Sequence, residues 1–195
     1  MPKKITRADI MPMGEYARLR KEKRTELVAK KKHRRVEVGP YATFYFESYD
    51  TMWAQVHEML FIEKGGEEQI AEELAAYNPL IPQGDELICT MMFEIDDEHR
   101  RRRILGRLGG VEETVTITVG DGDMVPGVSE DDVDRTTAAG KTSSVHFLHF
   151  KFTPAQIAAF RDLSRPVILG ISHEGYQHMA MLSPDTRKAL GADFD

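Results

Sequence analysis

The 195-residue chain contains only one cysteine, Cys89. A single cysteine excludes an intramolecular disulfide, a CxxC zinc ribbon and a self-contained iron–sulfur cluster. Long apolar stretches are also missing, since no run approaches the roughly 18 residues of a transmembrane helix. The N-terminal sequence MPKKITRADIMPM lacks the apolar core of a signal peptide. We therefore expect a cytoplasmic protein that does not enter the membrane.

Familiar catalytic and nucleotide-binding motifs are absent as well. The chain has no P-loop, no GxGxxG dinucleotide fingerprint and no GxSxG nucleophile motif. The acidic stretches 121–123 and 130–132 resemble fragments of a calcium loop, but their spacing does not fit an EF-hand. We interpret the region 121–140 as a solvated, mobile loop.

Positive charge is scarce outside the N-terminal region. Residues 1–35 hold 13 of the 26 Lys and Arg but 4 of the 32 Asp and Glu, so this segment carries +9 and the remainder −15. Such a basic segment can bind nucleic acid or an acidic partner, or can dock on its own domain or on a second subunit. Phosphate binding usually also recruits aromatic residues or a recognisable fold. We therefore favour docking within the protein or a solvated helix, and consider nucleic-acid binding the weaker interpretation.

The composition of the chain is that of a soluble globular protein. Hydrophobic residues make up 41% and charged residues 30%, and the length fits one full core over 1–195. Intermingled helix and strand patterns predict a mixed, mainly antiparallel sheet packed with several helices. A basic N-terminal helical segment covers about 6–35, with Thr6 or Asp9 as helix cap. We predict helices at about 13–32, 51–64, 67–76, 97–108, 154–163 and after Ser183, and strands at about 35–38, 42–47, 86–95, 114–119, 124–128, 143–152 and 166–173.

The helix predicted at 51–64, TMWAQVHEMLFIEK, is apolar on nearly all sides yet carries two glutamates. A helix that is apolar on both sides is normally buried on both sides, and a buried carboxylate needs a partner, a proton or a metal. Glu58 and Glu63 lie some 140° apart on the helix wheel, at about 100° per residue, and so cannot chelate one ion together. The HExxH zinc motif fails because Phe61 occupies the second histidine position. An ion pair, for example with an arginine from 100–103, is the simpler role for either glutamate.

Two histidines on predicted strands complete a candidate site. Strand alternation places His146 on the more apolar face of its strand and His149 on the wetter one. His173 lies at the C-terminal end of the last predicted strand, where loops can surround a ligand. We therefore hypothesise that Glu58, His146 and His173 form a metal or ligand site, supported by Gln55, Glu63 and Tyr176. No cofactor follows from the pattern beyond a divalent metal that such ligands could bind, and Cys89 is expected to be an inert core residue.

Several segments of the chain resemble the bacterial family called domain of unknown function 3501. The segments are ITRADIMPMGEYARLR, VHEMLFIEK, EELAAYNPLIPQGDEL, KTSSVHFLHFKFT and VILGISHEGY. The resemblance implies a cytoplasmic bacterial protein, often encoded near rubrerythrin and an iron–sulfur oxidoreductase, and hence a redox or oxidative-stress context. It carries over no catalytic residue. The resemblance also implies Arg at the position of His149 and a non-ligand residue such as Gln at that of His57, which argues against ligand roles for these two histidines.

Three hypotheses about function follow. The first is an accessory or interaction protein of a redox system, which docks a protein partner through the basic N-terminal helix or the acidic loop. The second is a metal-dependent or small-molecule enzyme that uses Glu58, His146 and His173. The third is a nucleic-acid binder that uses residues 18–35 and 100–107. A homo-oligomer is compatible with each of them.

Overall fold

The computed structural model describes residues 3–129 and 140–195, and within these ranges the chain forms six α-helices and nine β-strands. The α+β prediction is confirmed. The helices are α1 (Met13–Lys31), α2 (Tyr49–Glu63), α3 (Gly66–Tyr77), α4 (Glu98–Leu105), α5 (Pro154–Arg161) and α6 (Pro184–Gly191). The strands are β1 (Arg35–Val38), β2 (Ala42–Phe46), β3 (Glu86–Phe93), β4 (Val115–Val119), β5 (Asp123–Pro126), β6 (Val128–Ser129), β7 (Val145–Lys151), β8 (Val167–His173) and β9 (Tyr176–Met181).

The strands form two sheets that pack face to face. The first sheet has the order β1-β2-β3-β7-β6 and the second the order β5-β4-β8-β9. Every described strand pair is antiparallel, so the prediction of a mixed sheet was wrong in this respect. Side chains from both sheets, such as Phe44, Cys89 and Leu169, are fully buried in the main core between them. Burial raises the pKa of the Cys89 thiol, as expected for an inert core residue.

A second core lies on the opposite face of the first sheet. There Ile88 of β3 and Phe147 of β7 pack against Val56 and Leu60 of α2 and Ile70 of α3. The alternation of strand side chains explains this division, because the neighbours of Ile88 and Phe147 along each strand point into the main core instead. Helices α1, α2 and α3 thus form a layer over the first sheet, and α1 is the outermost of them, with Tyr16 as its one buried side chain.

Several predicted boundaries needed correction. Thr6 and Asp9 bond each other across the short 3₁₀ helix Arg7–Asp9, whereas α1 begins after Pro12 without a side-chain cap. Helix α2 begins after Ser48 and ends at Glu63, and Lys64, with a φ of 58°, forms a left-handed cap before the glycines. Helix α4 is also shorter than predicted, and α2 exposes Ile62, so it is not buried all round. In the predicted acidic loop, β5 and β6 occupy part of 121–129, while the rest of it up to 139 lies outside the described residues.

Strand β9 was not predicted. It pairs with β8 through a tight connection, so that His173 stands opposite Tyr176. Its sequence YQHMAM shows little alternation of polar and apolar residues, and most of the strand is exposed. A strand without that alternation gives a weak signal in the sequence, and here pairing to β8 determines the structure instead.

Candidate functional site

The N-terminal segment 3–11, which we call the strap, runs across the helical layer and positions α1. Two side-chain amides hold its first half. Gln83 accepts from the Lys3 N–H and donates to the Lys3 carbonyl, both at 2.9 Å. Asn78 does the same at Ile5, accepting from the N–H at 2.7 Å and donating to the carbonyl at 3.0 Å. Each amide thus replaces the hydrogen bonds that a neighbouring strand would make. The backbone N–H and carbonyl groups of the strap are paired in this way although the strap belongs to no sheet.

Helix α2 holds the second half of the strap. The indole N–H of Trp53 donates to the Asp9 carbonyl at 2.9 Å, and the Met11 N–H donates to Nε2 of His57 at 3.0 Å. Nδ1 of His57 lies 2.7 Å from the Trp53 carbonyl and must carry the proton, because Nε2 acts as acceptor. The His57 ring also stacks on Trp53 with a centroid distance of 3.7 Å. Burial lowers the pKa of His57, which keeps the imidazole neutral, so that its Nε2 can accept the hydrogen bond from the strap.

Glu58 links α2 to α1. Its carboxylate accepts from the Tyr16 hydroxyl at 2.8 Å and from Arg20 through Nε at 2.8 Å and an Nη at 2.7 Å. The Arg20 guanidinium also lies 4.8 Å above the Phe61 ring. Hydrogen bonding from Arg20 lowers the pKa of Glu58, so the carboxylate is ionised and bidentately bound. The expected ion pair therefore exists, but its arginine comes from α1.

The arginines of 100–103 that were considered as partners of Glu58 lie elsewhere. Arg100 stacks on the Tyr41 ring at 5.1 Å, and Arg101 donates to the Ile95 carbonyl at 2.9 Å. Arg102 pairs with Glu98 one turn earlier in α4, at 3.1 Å. These contacts are local to α4 and the main core.

A cleft of about 640 Å³ separates the rest of α1 from α2. Aromatic and aliphatic side chains line it, among them Leu19 and Leu27 of α1 and Tyr49 and Trp53 of α2. The α1 side also brings Lys23, Arg24 and Lys30 to the rim, while the α2 side brings Asp50 and Glu58. The volume lies in the range of ligand-binding clefts, and an apolar floor between charged rims is typical of recognition sites.

His146 lies on the other side of the first sheet, in the main core. It is fully buried, with Nε2 at 3.0 Å from the Ser143 carbonyl and 3.2 Å from the Thr142 hydroxyl. Its Nδ1 is 3.8 Å from the carboxylate of Glu112, which is also buried. The ring packs edge-on against Phe93. His146 therefore joins the loop before β7 to the segment before β4, which is a structural role.

His173 and Tyr176 fasten the connection between β8 and β9. Nε2 of His173 lies 3.2 Å from the Gly109 carbonyl, and Nδ1 accepts from the Gly175 N–H at 3.1 Å. The Tyr176 hydroxyl donates to the Val38 carbonyl at 2.7 Å and accepts from the N–H groups that follow the β1–β2 turn. Gly39 in that turn has φ +70°, and a Cβ there would lie 2.5 Å from the His178 ring. Only glycine fits such a close approach.

The structure does not bring Glu58 together with His146 and His173. Glu58 lies in the helical layer on one side of the first sheet. His146 of β7 and His173 of β8 both lie on the opposite side of that sheet, where the main core is. The expected supporting residues are also dispersed, because Gln55 bonds Tyr77 weakly at 3.4 Å and Glu63 accepts from Gln69 at 2.8 Å. Within residues 3–129 and 140–195, no group of three His, Cys, Asp or Glu side chains could hold a metal ion.

Much of the basic N-terminal segment is bound to the acidic body. Arg20 pairs with Glu58, and Lys30 pairs with Asp50 at 2.5 Å. The buried Arg34 donates to the carbonyls of residues 46 and 47 and pairs with Asp193. Docking within the protein, which the charge distribution suggested, thus accounts for several of these cations. None of the helices in the described ranges is long and apolar enough to cross a membrane.

The fold defines an α+β protein in which a helical layer with a cleft between α1 and α2 lies over an antiparallel sheet. Residues 4–194 match the family model described as protein of unknown function (DUF3501), and the chain belongs to this family. A crystal structure of a novel protein of unknown function from Burkholderia pseudomallei K96243 is similar, with a TM-score of 0.90 and 36% sequence identity. That alignment covers 99% of this chain and 100% of the other. No curated protein matches.

The sequence pattern predicted α2 but not the residues that bind the strap and α1 to it. Asn78, Gln83 and Tyr16 were not among the predicted site residues. The available signal for Asn78 and Gln83 was their position next to Pro79 and Pro82. Proline interrupts regular backbone pairing, and a nearby side-chain amide can then bind backbone groups instead. The partners of these amides, some 75 residues away, leave no trace in a local pattern.

Proposed function

We propose that this protein is an accessory protein that binds a helical segment of a protein partner in the cleft between α1 and α2. The observation that carries the proposal is the cleft itself, about 640 Å³ with an apolar floor and charged rims. Tyr16 and Lys30 mark its ends along α1 and lie 14 residues apart, or about 21 Å at 1.5 Å per residue. A groove of this length suits about four turns of an amphipathic helix, which inserts its apolar face between the two walls.

The charges at the rim define the complementary partner. Asp50 and Glu58 of the α2 rim are already paired with cations of α1, and Lys23 is paired with Glu26. The bound segment should therefore carry acidic residues on the flank that faces Arg24 of α1, and it needs no basic flank. Its apolar stripe would contact Leu19, Leu27 and Trp53. Because Asp50 is paired with Lys30, and Glu58 with Arg20, the rims are held in place before binding, which reduces the entropy lost on association.

The family resemblance supplies the first partner to test, a redox protein of the rubrerythrin type. In this proposal the chain assists a redox or oxidative-stress system by docking one of its components. The enzyme hypothesis has less support, since Glu58, His146 and His173 lie apart and each is engaged in local hydrogen bonds.

Co-purification with the rubrerythrin-type protein of the same genome tests the proposal. Leu27→Glu places a charge on the cleft floor, and Val28→Glu places the same charge on the neighbouring position, which is 70% exposed and faces away from the cleft. We expect the wild type and Val28→Glu to retain the partner, and Leu27→Glu to lose it while keeping its thermal unfolding midpoint. Absence of a complex with the wild type, or equal capture by all three proteins, would contradict the proposal.

A further inference from the structure

The outer face of the second sheet presents methionine side chains to the solvent. Ten methionines occur in the chain, and nine of them lie in the part that the structure describes. Three of these nine are exposed, Met124 at 63%, Met179 at 74% and Met181 at 70%. The other six are buried, as Met52 and Met91 are, or half-buried. The exposed methionines of the described residues thus all belong to one sheet.

The strand order and the alternation of side chains explain this exposure. Met124 lies on β5, whereas Met179 and Met181 lie on β9, and these two strands form the edges of the sheet. Val125 and Ala180, which follow or precede them in the chain, point into the main core. The three methionines therefore point outward. Because each lies on an edge strand, it has a neighbouring strand of the sheet on one side only.

The neighbouring side chains leave the thioether groups open. Met179 stands opposite Gly170, which has no side chain, and Met124 stands opposite the short Thr118. None of the outward positions of the four strands carries Asp, Glu, Lys or Arg, so no long charged side chain of the sheet lies across the sulfur atoms. A small solute can therefore reach the sulfur atoms from the solvent.

We propose that Met124, Met179 and Met181 form a site of reversible oxidation by hydroperoxides. The thioether sulfur attacks the peroxide, the O–O bond breaks and an S–O bond forms, which gives methionine sulfoxide and water, or an alcohol if the peroxide is organic. The sulfur loses the two electrons that the peroxide gains. Because susceptibility follows exposure, these three methionines react first. The site is separate from the cleft between α1 and α2, and the proposal does not depend on the function proposed for that cleft.

The position of the three methionines lets the fold tolerate the modification. At Met52 or Met91, a sulfoxide would place a polar group among buried apolar side chains and disrupt the packing. At an exposed outward position, water solvates the new oxygen instead. Oxidation therefore makes the sheet face polar and leaves both cores intact. The sulfoxides also remain accessible to methionine sulfoxide reductases, which restore the thioether while two thiols form a disulfide and water is released.

Peptide mapping by mass spectrometry after brief treatment of the folded protein with hydrogen peroxide tests the site. We expect Met124, Met179 and Met181 each to gain one oxygen atom at least about tenfold faster than Met52 and Met91. The oxidised protein should elute earlier from a hydrophobic-interaction column and keep its thermal unfolding midpoint. Treatment with both types of methionine sulfoxide reductase and a dithiol should restore the original elution.

Two sets of variants provide the controls. The triple variant Met124→Leu, Met179→Leu and Met181→Leu keeps the face apolar without sulfur, so the same treatment should leave its elution unchanged. The double variant Met179→Gln and Met181→Gln imitates the polarity of the sulfoxide and should elute early without peroxide. The proposal is overturned if the three methionines react no faster than the buried ones, if their oxidation lowers the unfolding midpoint, if the reductases do not restore them, or if the triple variant responds to peroxide as the wild type does.

Discussion

The imidazole of His57 stacks on the indole of Trp53 with a centroid distance of 3.7 Å, while its Nδ1 lies 2.7 Å from the Trp53 carbonyl. Both side chains also bond the strap, Trp53 at the Asp9 carbonyl and His57 at the Met11 N–H. Trp53 in addition lines the cleft. One pair of residues, a helical turn apart, therefore connects the N-terminal strap to the proposed binding surface.

The neutral state of His57 predicts a pH-dependent stability. Burial lowers the pKa of folded His57 below its ordinary 6.5, so the unfolded chain binds the proton more tightly. The contribution of neutral His57 to the free energy of unfolding is therefore fully present above about pH 6.5. It is lost as the pH falls through the lowered pKa of His57 in the folded protein. His57→Gln should flatten this slope between pH 7 and pH 5 in urea unfolding curves and cost about 1 kcal/mol at pH 8. An unchanged slope would show that His57 does not titrate as described.

The bidentate ion pair between Arg20 and Glu58 predicts a measurable coupling. Both side chains are partly exposed, so we expect about 1 kcal/mol from a double-mutant cycle of Arg20→Met and Glu58→Gln. Because Arg20 lowers the pKa of Glu58, this contribution is present above the ordinary value of 4.5 and is lost as the pH falls through the lowered folded value. A coupling free energy near zero at pH 7 would contradict the geometry.

We expect the ordering of the strap to depend on the side-chain amide of Asn78. Asn78→Ala removes both hydrogen bonds to Ile5 and should lower the free energy of unfolding by about 2 kcal/mol. Hydrogen exchange should then accelerate first in residues 3–11 and afterwards in α1, whereas exchange in the sheets should follow only the global loss. Asn78→Asp separates the two hydrogen bonds, because its carboxylate can accept from the Ile5 N–H but cannot donate to the Ile5 carbonyl, and should also accelerate exchange in residues 3–11. Uniform acceleration over the whole chain would argue against a separate strap.

The basic segment contains both a buried arginine, Arg34, and cations without an ion-pair partner among the described residues, and we expect these two groups to differ in their effect on stability. Arg34→Met leaves Asp193 and the carbonyls of residues 46, 47 and 189 without their donor and should cost about 3 kcal/mol. Arg18 and Lys21 make no ion pair with the described residues, and charge reversal at either should change stability by less than about 0.5 kcal/mol. Thermal unfolding of the three variants separates the two kinds. Similar midpoints for all of them would show that Arg34 is not a core residue.

The comparison of sequence and structure shows where local patterns suffice. The apolar runs of α2 and β3 and the alternation in β7 predicted these elements, because burial repeats along the whole length of each element. The partner of Glu58 could not be predicted, since Arg20 is one of several arginines and lies 38 residues away. His146 and His173 were correctly assigned to strands, but no pattern in their own strands shows that the first sheet separates them from Glu58.

The binding of a partner in the α1–α2 cleft is tested most directly at Trp53, the one tryptophan of the chain. Incorporation of 5-fluorotryptophan gives a single ¹⁹F resonance that reports this cleft, whatever tryptophans an unlabelled partner contains. On titration with the rubrerythrin-type protein, we expect a saturable shift of that resonance. The affinity derived from the shift should be at least tenfold weaker for Leu27→Glu and unchanged for Val28→Glu. A complex that forms while the resonance stays in place, or that forms equally well with Leu27→Glu, would contradict the account.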